Sequence, residues 1–194
     1  MPDPDPQVLH TDIVYSGKIV RLDVEQVRLP NGHVRRREIV RHPGAVVLVV
    51  VDAEERLLLV RQYRHAADRA LLEMPAGTRE PDEAPAVTAA REVQEETGFQ
   101  AARIVRLGGF FSAPGFCTEY LDCFLCTDLS PSAVPPEEDE SFEHERLTVP
   151  ELQQRIAAGG IEDAKTLAAL TLYLGWKAGE ESGAAATPPD DQPH

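Results

Sequence analysis

Three glutamates crowd one short stretch of the chain, "REVQEETGF", in which Glu92, Glu95 and Glu96 lie close together. Residues three and four apart share one face of an α-helix, so this spacing predicts that the three carboxylates converge. Like charges at this distance destabilise a helix and raise one another's pKa values. Two interpretations are open. The stretch is either a solvated face on which Arg91 pairs with Glu95, or a set of oxygen ligands for a hard divalent cation that also binds the phosphates of a substrate.

The flanking residues favour the cation. A strand ending in "LLEMPAG" precedes a loop over residues 77–82, and a helix is predicted from about Glu83 to Thr97. Gly98 follows that helix where a residue of left-handed conformation commonly ends a helix, and glycine adopts that conformation without steric cost. Glu83, at the favourable end of the helix dipole, is interpreted as structural.

The same residues carry a family resemblance. The pattern G-x5-E-x7-R-E-V-x-E-E-x-G-F resembles the Nudix box, whose last defined position is a bulky apolar residue. Every defined position is matched, by Gly77, Glu83, Arg91, Glu92, Val93, Glu95, Glu96, Gly98 and Phe99. The resemblance implies a Nudix α/β/α sandwich and the hydrolysis of a nucleoside diphosphate linked to another group.

The resemblance also implies a ligand set for the cation. Glu92 and Glu96 are the principal metal ligands, Glu95 supports them, and the backbone carbonyl of Ala76 completes the set. Arg91 orients the glutamates by ion pairing rather than touching the substrate. The implied cofactor is Mg²⁺, with Mn²⁺ able to substitute.

Further segments look like those of ADP-ribose pyrophosphatases: "REIVRHPGAV", "VRQYRHA", "LLEMPAG" and "SAPGFCTE". The similarity runs from about Val8 to Trp176, and Pro114 stands where this subfamily has a proline that marks ADP-ribose preference. The alternative for Pro114 is a plain Pro-Gly turn. The implied reaction splits ADP-ribose into AMP and ribose 5-phosphate. The alternatives are a broader nucleotide-sugar pyrophosphatase acting on GDP-mannose or UDP-sugars, and a non-catalytic ADP-ribose sensor, which the intact box disfavours.

Substrate contacts carried over by motif are Arg37 and Glu38, which face the adenine or its ribose, and Arg64, which binds phosphate. Each has an alternative as an exposed strand charge. The subfamily often places an aromatic residue in its N-terminal strands to stack on adenine. Here that stretch, "GKIVRLDV", has Val20 and no aromatic residue, and Tyr15 is out of register. This departure leaves the base preference open.

The catalytic base is expected in the acidic segment "PPEEDESFE", where Glu140 fits the motif best and Glu138 and Asp139 are close alternatives. Glu95 is the remaining candidate catalytic carboxylate. A segment of this kind closes over substrate in some enzymes, and is a solvated acidic loop in others.

Composition sets the class of protein. The chain has 194 residues, 42% of them hydrophobic, which suits one globular domain. The net charge of −14 disfavours binding to nucleic acid or an anionic membrane. No apolar run approaches the roughly 20 residues of a membrane span, and no secretory signal is evident, so a cytoplasmic location is expected. Cys123 and Cys126 point to opposite faces of a predicted strand and are interpreted as buried thiols.

The predicted fold class is α+β, a mixed sheet flanked by helices, preceded by a small antiparallel β region. Residues 1–7 are predicted to be disordered, residues 8–40 form the β region, residues 41–176 the Nudix domain and residues 177–194 a disordered tail. Asn31-Gly32 predicts a hairpin turn. By resemblance, residues 8–40 exchange strands between the subunits of a homodimer.

Overall fold

The computed structural model describes residues 5–132 and 143–182. These residues divide into two compact units. The first unit contains residues 5–44 and 111–120, and the second contains residues 45–110, 121–132 and 143–182. The first unit thus corresponds to the predicted N-terminal β region, but it also takes in a segment from the middle of the chain that includes Pro114.

The first unit is built on three antiparallel strands, β1 (Gln7–Ser16), β2 (Arg21–Arg28) and β3 (Val34–Arg41), in the order β1-β2-β3. The predicted turn at Asn31-Gly32 joins β2 to β3, and Gly32 has a φ of 82° that favours glycine. The Leu29 amide donates to the His33 carbonyl at 2.8 Å and closes this turn.

The second unit contains a seven-stranded sheet. Its strands are β4 (Ala45–Val51), β5 (Leu57–Arg64), β6 (Arg69–Glu73), β7 (Ala76–Thr78), β8 (Phe99–Phe111), β9 (Tyr120–Pro131) and β10 (Glu143–Leu147). The central order is β10-β5-β4-β9-β8, with β6 paired to β5 and β7 paired to β4. β4 runs parallel to β9 and antiparallel to β5 and β7, so the sheet is mixed as predicted.

In the described part of the chain, three α-helices cover the sheet: α1 (Pro85–Thr97), α2 (Val149–Ala157) and α3 (Ala164–Glu181). Alternate residues of β4 face opposite sides, as a strand requires. Val46, Leu48 and Val50 pack in a cluster with Ala89 and Val93 of α1. The other side of β4 packs in a second cluster with Leu152 of α2 and Leu170 of α3. The predicted α/β/α sandwich is confirmed.

The two cysteines of β9 are buried on opposite faces, Cys123 in the cluster with α2 and α3 and Cys126 in the cluster with α1. Burial raises the pKa of each thiol to about 12, which makes both unreactive. Both are free thiols, as interpreted from the sequence.

Helix α3 continues to Glu181, so residues 177–181, which were predicted to belong to a disordered tail, are helical. Lys177 pairs with Glu55 at 3.2 Å within this added turn. Within the described ranges, no helix has the length and apolar character needed to cross a membrane.

Candidate active site

Helix α1 presents the clustered glutamates, and its two ends are defined by the backbone. Pro85 occupies the first turn, where its missing N–H leaves no intrahelical bond unmade. Gly98 ends the helix in the left-handed conformation, with a φ of 71°, and its amide donates to the Gln94 carbonyl at 2.9 Å. The predicted role of Gly98 is confirmed, and the helix starts two residues later than predicted.

Gly77 lets the Glu92 carboxylate approach the backbone of β7. A Cβ atom added to Gly77 would lie 1.8 Å from Glu92 Cδ, far inside van der Waals contact. Glu92 is 8% exposed, so its side chain is enclosed between helix and strand. The position of the Glu92 side chain therefore requires glycine at residue 77.

Glu96 lies one turn further along α1 and is 5% exposed. The Ala76 amide donates to Glu96 Oε2 at 2.9 Å, which places the Ala76 peptide beside this carboxylate. His144 of β10 donates from Nε2 to the Glu96 backbone carbonyl at 2.7 Å. Because Glu92 and Glu96 are both buried, the interpretation of these two residues as a solvated face is wrong.

Arg91 neutralises much of the cluster. Its Nη1 donates to Glu92 Oε1 at 2.7 Å and to Glu95 Oε2 at 2.8 Å. Its Nη2 donates to Glu83 Oε2 at 3.1 Å. Burial opposes the guanidinium charge, but the surrounding carboxylates outweigh it and raise the Arg91 pKa. The predicted pairing of Arg91 with the glutamates is confirmed.

Glu83 is held from three sides. Besides Arg91, it accepts from Thr88 Oγ1 at 2.9 Å and from the Glu80 amide at 3.2 Å. The hydrogen bond from Arg91 is the largest cause of a pKa lowered to about 2. These contacts fasten the loop before α1 to the helix and agree with the structural role expected of Glu83.

The donor atoms suit a hard cation, although they are not yet arranged around one. Glu92, Glu95, Glu96 and the Ala76 carbonyl offer only oxygen, the ligand atom of Mg²⁺. Over residues 5–132 and 143–182, no group of three or more acidic, histidine or cysteine side chains is arranged to hold a metal ion. Arg91 and the Ala76 amide engage the carboxylates instead. The chemistry of these oxygen atoms fits such a cation.

Arg64, the predicted phosphate ligand, forms a two-pronged ion pair with Glu73. Its Nε and Nη2 donate to Oε1 and Oε2 of Glu73 at 2.9 and 2.7 Å. Lys165 of α3 contacts the same carboxylate. The sequence did not predict that Glu73, within "LLEMPAG", pairs with Arg64 or that Lys165 contacts the same carboxylate, because neither residue stands out by its spacing.

The other predicted substrate residues belong to the first unit. Arg37 and Glu38 are on β3, opposite Glu25 and Val24 of β2, and both are exposed. Pro114 lies in a turn in which the Phe116 and Cys117 amides donate to the Ala113 carbonyl at 3.1 and 2.9 Å. Glu138, Asp139 and Glu140 lie outside the described residues.

Comparison with known proteins places the chain among relatives. The NUDIX domain model matches residues 40–170. The chain is 39% identical over 159 residues to the ADP-ribose pyrophosphatase of Bacillus subtilis, covering 81% of this chain and 86% of that protein. It is also 39% identical over 166 residues to the methanol dehydrogenase activator of Bacillus methanolicus, covering 84% and 90%.

A solved structure, the crystal structure of ADP compounds hydrolase, shares the fold. Its TM-score is 0.80 at 22% identity, and the match covers 94% of this chain and 98% of that one. Together with the matched domain model, which spans most of the chain, and the complete set of box residues between Gly77 and Phe99, these likenesses show that the chain belongs to the Nudix family.

Proposed function

We propose that the protein hydrolyses the pyrophosphate bond of ADP-ribose, giving AMP and ribose 5-phosphate, with Mg²⁺ as cofactor and Mn²⁺ as a substitute. The observation that carries the proposal is the pair Glu92 and Glu96, buried one turn apart against the backbone of Gly77 and Ala76. The relative named ADP-ribose pyrophosphatase supports this choice of substrate.

Four residues of α1 have a part in this reaction: Arg91, Glu92, Glu95 and Glu96. A bound divalent cation neutralises charge that develops on the phosphoryl oxygens and lowers the pKa of bound water. Glu92, Glu96 and the Ala76 carbonyl hold the cation, and Glu95 supports them. Arg91 keeps the carboxylates on one side of the helix through its hydrogen bonds.

The remaining roles follow the sequence analysis. Arg64 binds the diphosphate, Arg37 and Glu38 hold the adenosine, and Pro114 favours ADP-ribose. Glu140, or alternatively Glu138 or Asp139, accepts the proton from the water that attacks phosphorus, while the phosphoanhydride P–O bond breaks and AMP or ribose 5-phosphate leaves.

We also propose a cytoplasmic homodimer that exchanges its N-terminal strands. The apolar side chains of β1 support the dimer: Ile13 is 60% exposed and Val14 is 59% exposed. A strand that leaves large apolar side chains uncovered has the character of a surface that another chain covers.

The test is turnover of ADP-ribose by the Glu96→Gln variant, because the amide keeps the shape of the side chain and removes its charge. We expect turnover to fall by about 100-fold or more, as loss of a metal-site interaction commonly gives. Glu181→Gln, at the exposed end of α3, is the matched control and should retain full turnover. Full activity of Glu96→Gln would contradict the metal assignment.

A broader nucleotide-sugar pyrophosphatase is the second candidate function. Val20, which stands where relatives stack an aromatic residue on adenine, is 37% exposed and offers no ring. Steady-state rates on ADP-ribose, GDP-mannose and a UDP-sugar, each with Mg²⁺ and after chelation, separate the two candidates. Calorimetric binding of ADP-ribose without product in the presence of Mg²⁺ would instead indicate a sensor.

A further inference from the structure

A buried carboxylate joins Arg64 to the start of α3. Glu73, at the end of β6, is 1% exposed and accepts both hydrogen bonds from Arg64 together with the contact from Lys165. Burial opposes the negative charge of Glu73, yet the two cations outweigh it and lower the Glu73 pKa. A buried carboxylate without such partners is strongly unfavourable, so Arg64 and Lys165 keep Glu73 ionised.

The register of two strands explains how Arg64 reaches Glu73. β5 and β6 are antiparallel, with Val60 opposite Glu73 and Arg64 opposite Arg69. Val60 and Arg64 are four residues apart and therefore face the same side of the sheet as Glu73. The long arginine side chain extends back along that face and meets the carboxylate.

Lys165 is itself fixed by the cap of α3. Its Nζ lies 3.1 Å from Asp163 Oδ1, while Asp163 Oδ2 accepts from the Thr166 amide at 2.9 Å. Thr166 Oγ1 in turn accepts from the Met74 amide at 2.8 Å, next to Glu73 in the chain. The polar contacts thus close a ring from β6 to the first turn of α3 and back, and they define where Lys165 can lie.

The ion pair with Glu73 leaves a defined part of Arg64 for a second anion. A guanidinium group has two edges that can each bind an anion through two N–H groups. Glu73 takes the edge formed by Nε and Nη2, so the edge formed by Nη1 and Nη2 points away from it. The Arg64 side chain is 39% exposed, and the charge of Glu96 on α1 is among the causes of its raised pKa. Arg64 therefore lies within electrostatic reach of the proposed metal ligands.

We propose that Glu73 and Lys165 are positioning residues, which hold Arg64 so that its second edge binds the diphosphate of the substrate. This inference rests on the proposed function and explains how Arg64 is positioned to bind the diphosphate of the substrate. Lys165 acts through Glu73: its side chain is 14% exposed and lies between two carboxylates, Glu73 and Asp163.

The test is a double-variant cycle with Arg64→Met, Lys165→Met and both together, assayed on ADP-ribose with Mg²⁺. Misplacing a group that binds substrate commonly costs about 10- to 100-fold, so we expect losses of kcat/KM of that order for Arg64→Met and smaller losses for Lys165→Met. Since diphosphate binding is affected, KM should rise more than kcat falls. The double variant should be no worse than Arg64→Met alone, because Lys165 has no effect once Arg64 is absent.

The matched control is Lys177→Met, which removes another lysine of α3 that pairs with an exposed glutamate, Glu55. It should leave kcat/KM and KM unchanged. Thermal unfolding of every variant separates loss of the fold from loss of positioning. If Lys165→Met does not fold, Lys165→Gln takes its place in the cycle, and Lys165→Arg should restore most of the activity because it keeps a cation at Glu73.

If all variants fold and the loss of kcat/KM in the double variant equals the product of the two single losses, Lys165 acts independently of Arg64 and the inference is overturned. Unchanged KM in both single variants would overturn it as well. The proposed function fails separately, if the unaltered enzyme cleaves another nucleotide sugar but not ADP-ribose. The cycle is then run on the sugar that is cleaved. Absence of any cleavage and of ADP binding would remove both proposals.

Discussion

At the scale of single residues, the glutamates of α1 tolerate one another because they share one guanidinium. Arg91 contacts Glu83, Glu92 and Glu95, and Glu96 is instead met by the Ala76 amide. The repulsion expected from the sequence is therefore already relieved before a cation binds. A cation that takes these carboxylates must compete with the hydrogen bonds that Arg91 makes.

Gly77→Ala tests the close approach of Glu92 to β7. A methyl group at this position overlaps Glu92 Cδ, so the carboxylate must move away from residue 77. We expect turnover to fall by about 100-fold while the circular dichroism spectrum is retained. Gly175→Ala in α3, where an added Cβ meets nothing within 4 Å, is the control and should keep full activity. Equal activity in the two variants would show that the position of Glu92 is unimportant.

The pH dependence of stability tests the pairing of Glu83 with Arg91. The pKa of Glu83 is lowered from its usual 4.5 to about 2, so its contribution is present above pH 4.5 and is lost as pH falls toward 2. We expect Glu83→Gln to be less stable than the unaltered protein at pH 7. The difference in free energy of unfolding should shrink as pH falls through this window, as measured by urea denaturation. A difference independent of pH would mean that the charge of Glu83 does not stabilise the fold.

At the scale of elements, Gly98 is required because it ends α1 in the left-handed conformation. Gly98 has open space around its Cα, so only its backbone conformation requires glycine. Replacing it with an L-residue that has a Cβ adds strain without creating a steric overlap.

Gly98→Ala should lower the free energy of unfolding by about 1 kcal/mol, the cost of a left-handed residue other than glycine. Gly98→Asn should cost less, since asparagine tolerates this conformation better. Chemical denaturation of the two variants measures the difference. Equal losses would mean that the conformation of residue 98 is not what limits stability.

The elements that could be predicted from the sequence are those with local signals. α1 was predicted from glutamate spacing and Gly98, and the β2–β3 turn from Asn31-Gly32. The ring around Glu73 could not be predicted, because Lys165 is 92 residues from Glu73 in the chain and meets it only through tertiary packing. The inclusion of residues 111–120 in the first unit has the same origin.

At the scale of the whole molecule, β1 is an exposed edge strand in the described part of the chain. Its residues are exposed along its whole length, and several are large and apolar. The backbone pairs with β2 on one side only in the order β1-β2-β3. An edge strand of this kind readily pairs with another chain.

Ile13→Asp tests the proposed dimer. Because Ile13 is 60% exposed within one chain, the substitution costs the isolated subunit little, whereas a carboxylate buried in an interface is strongly unfavourable. We expect the unaltered protein to run as a dimer in light scattering coupled to size exclusion, and Ile13→Asp to run as a monomer. Asp12→Asn, on the same strand, is the control and should remain dimeric. A dimer that survives Ile13→Asp would place the interface elsewhere.

The parallel pairing of β4 with β9 has a consequence for synthesis on the ribosome. Val47 of β4 pairs with Cys123 of β9, so β4 is without this neighbour until β9 is translated, after α1 has emerged. During that interval α1 can pack only against elements that have already been translated, among them β4, β5 and β7. Pairing between such distant segments is slow, because a long loop must close first. In the nascent chain, α1 is therefore incompletely packed until β8 and β9 have been translated.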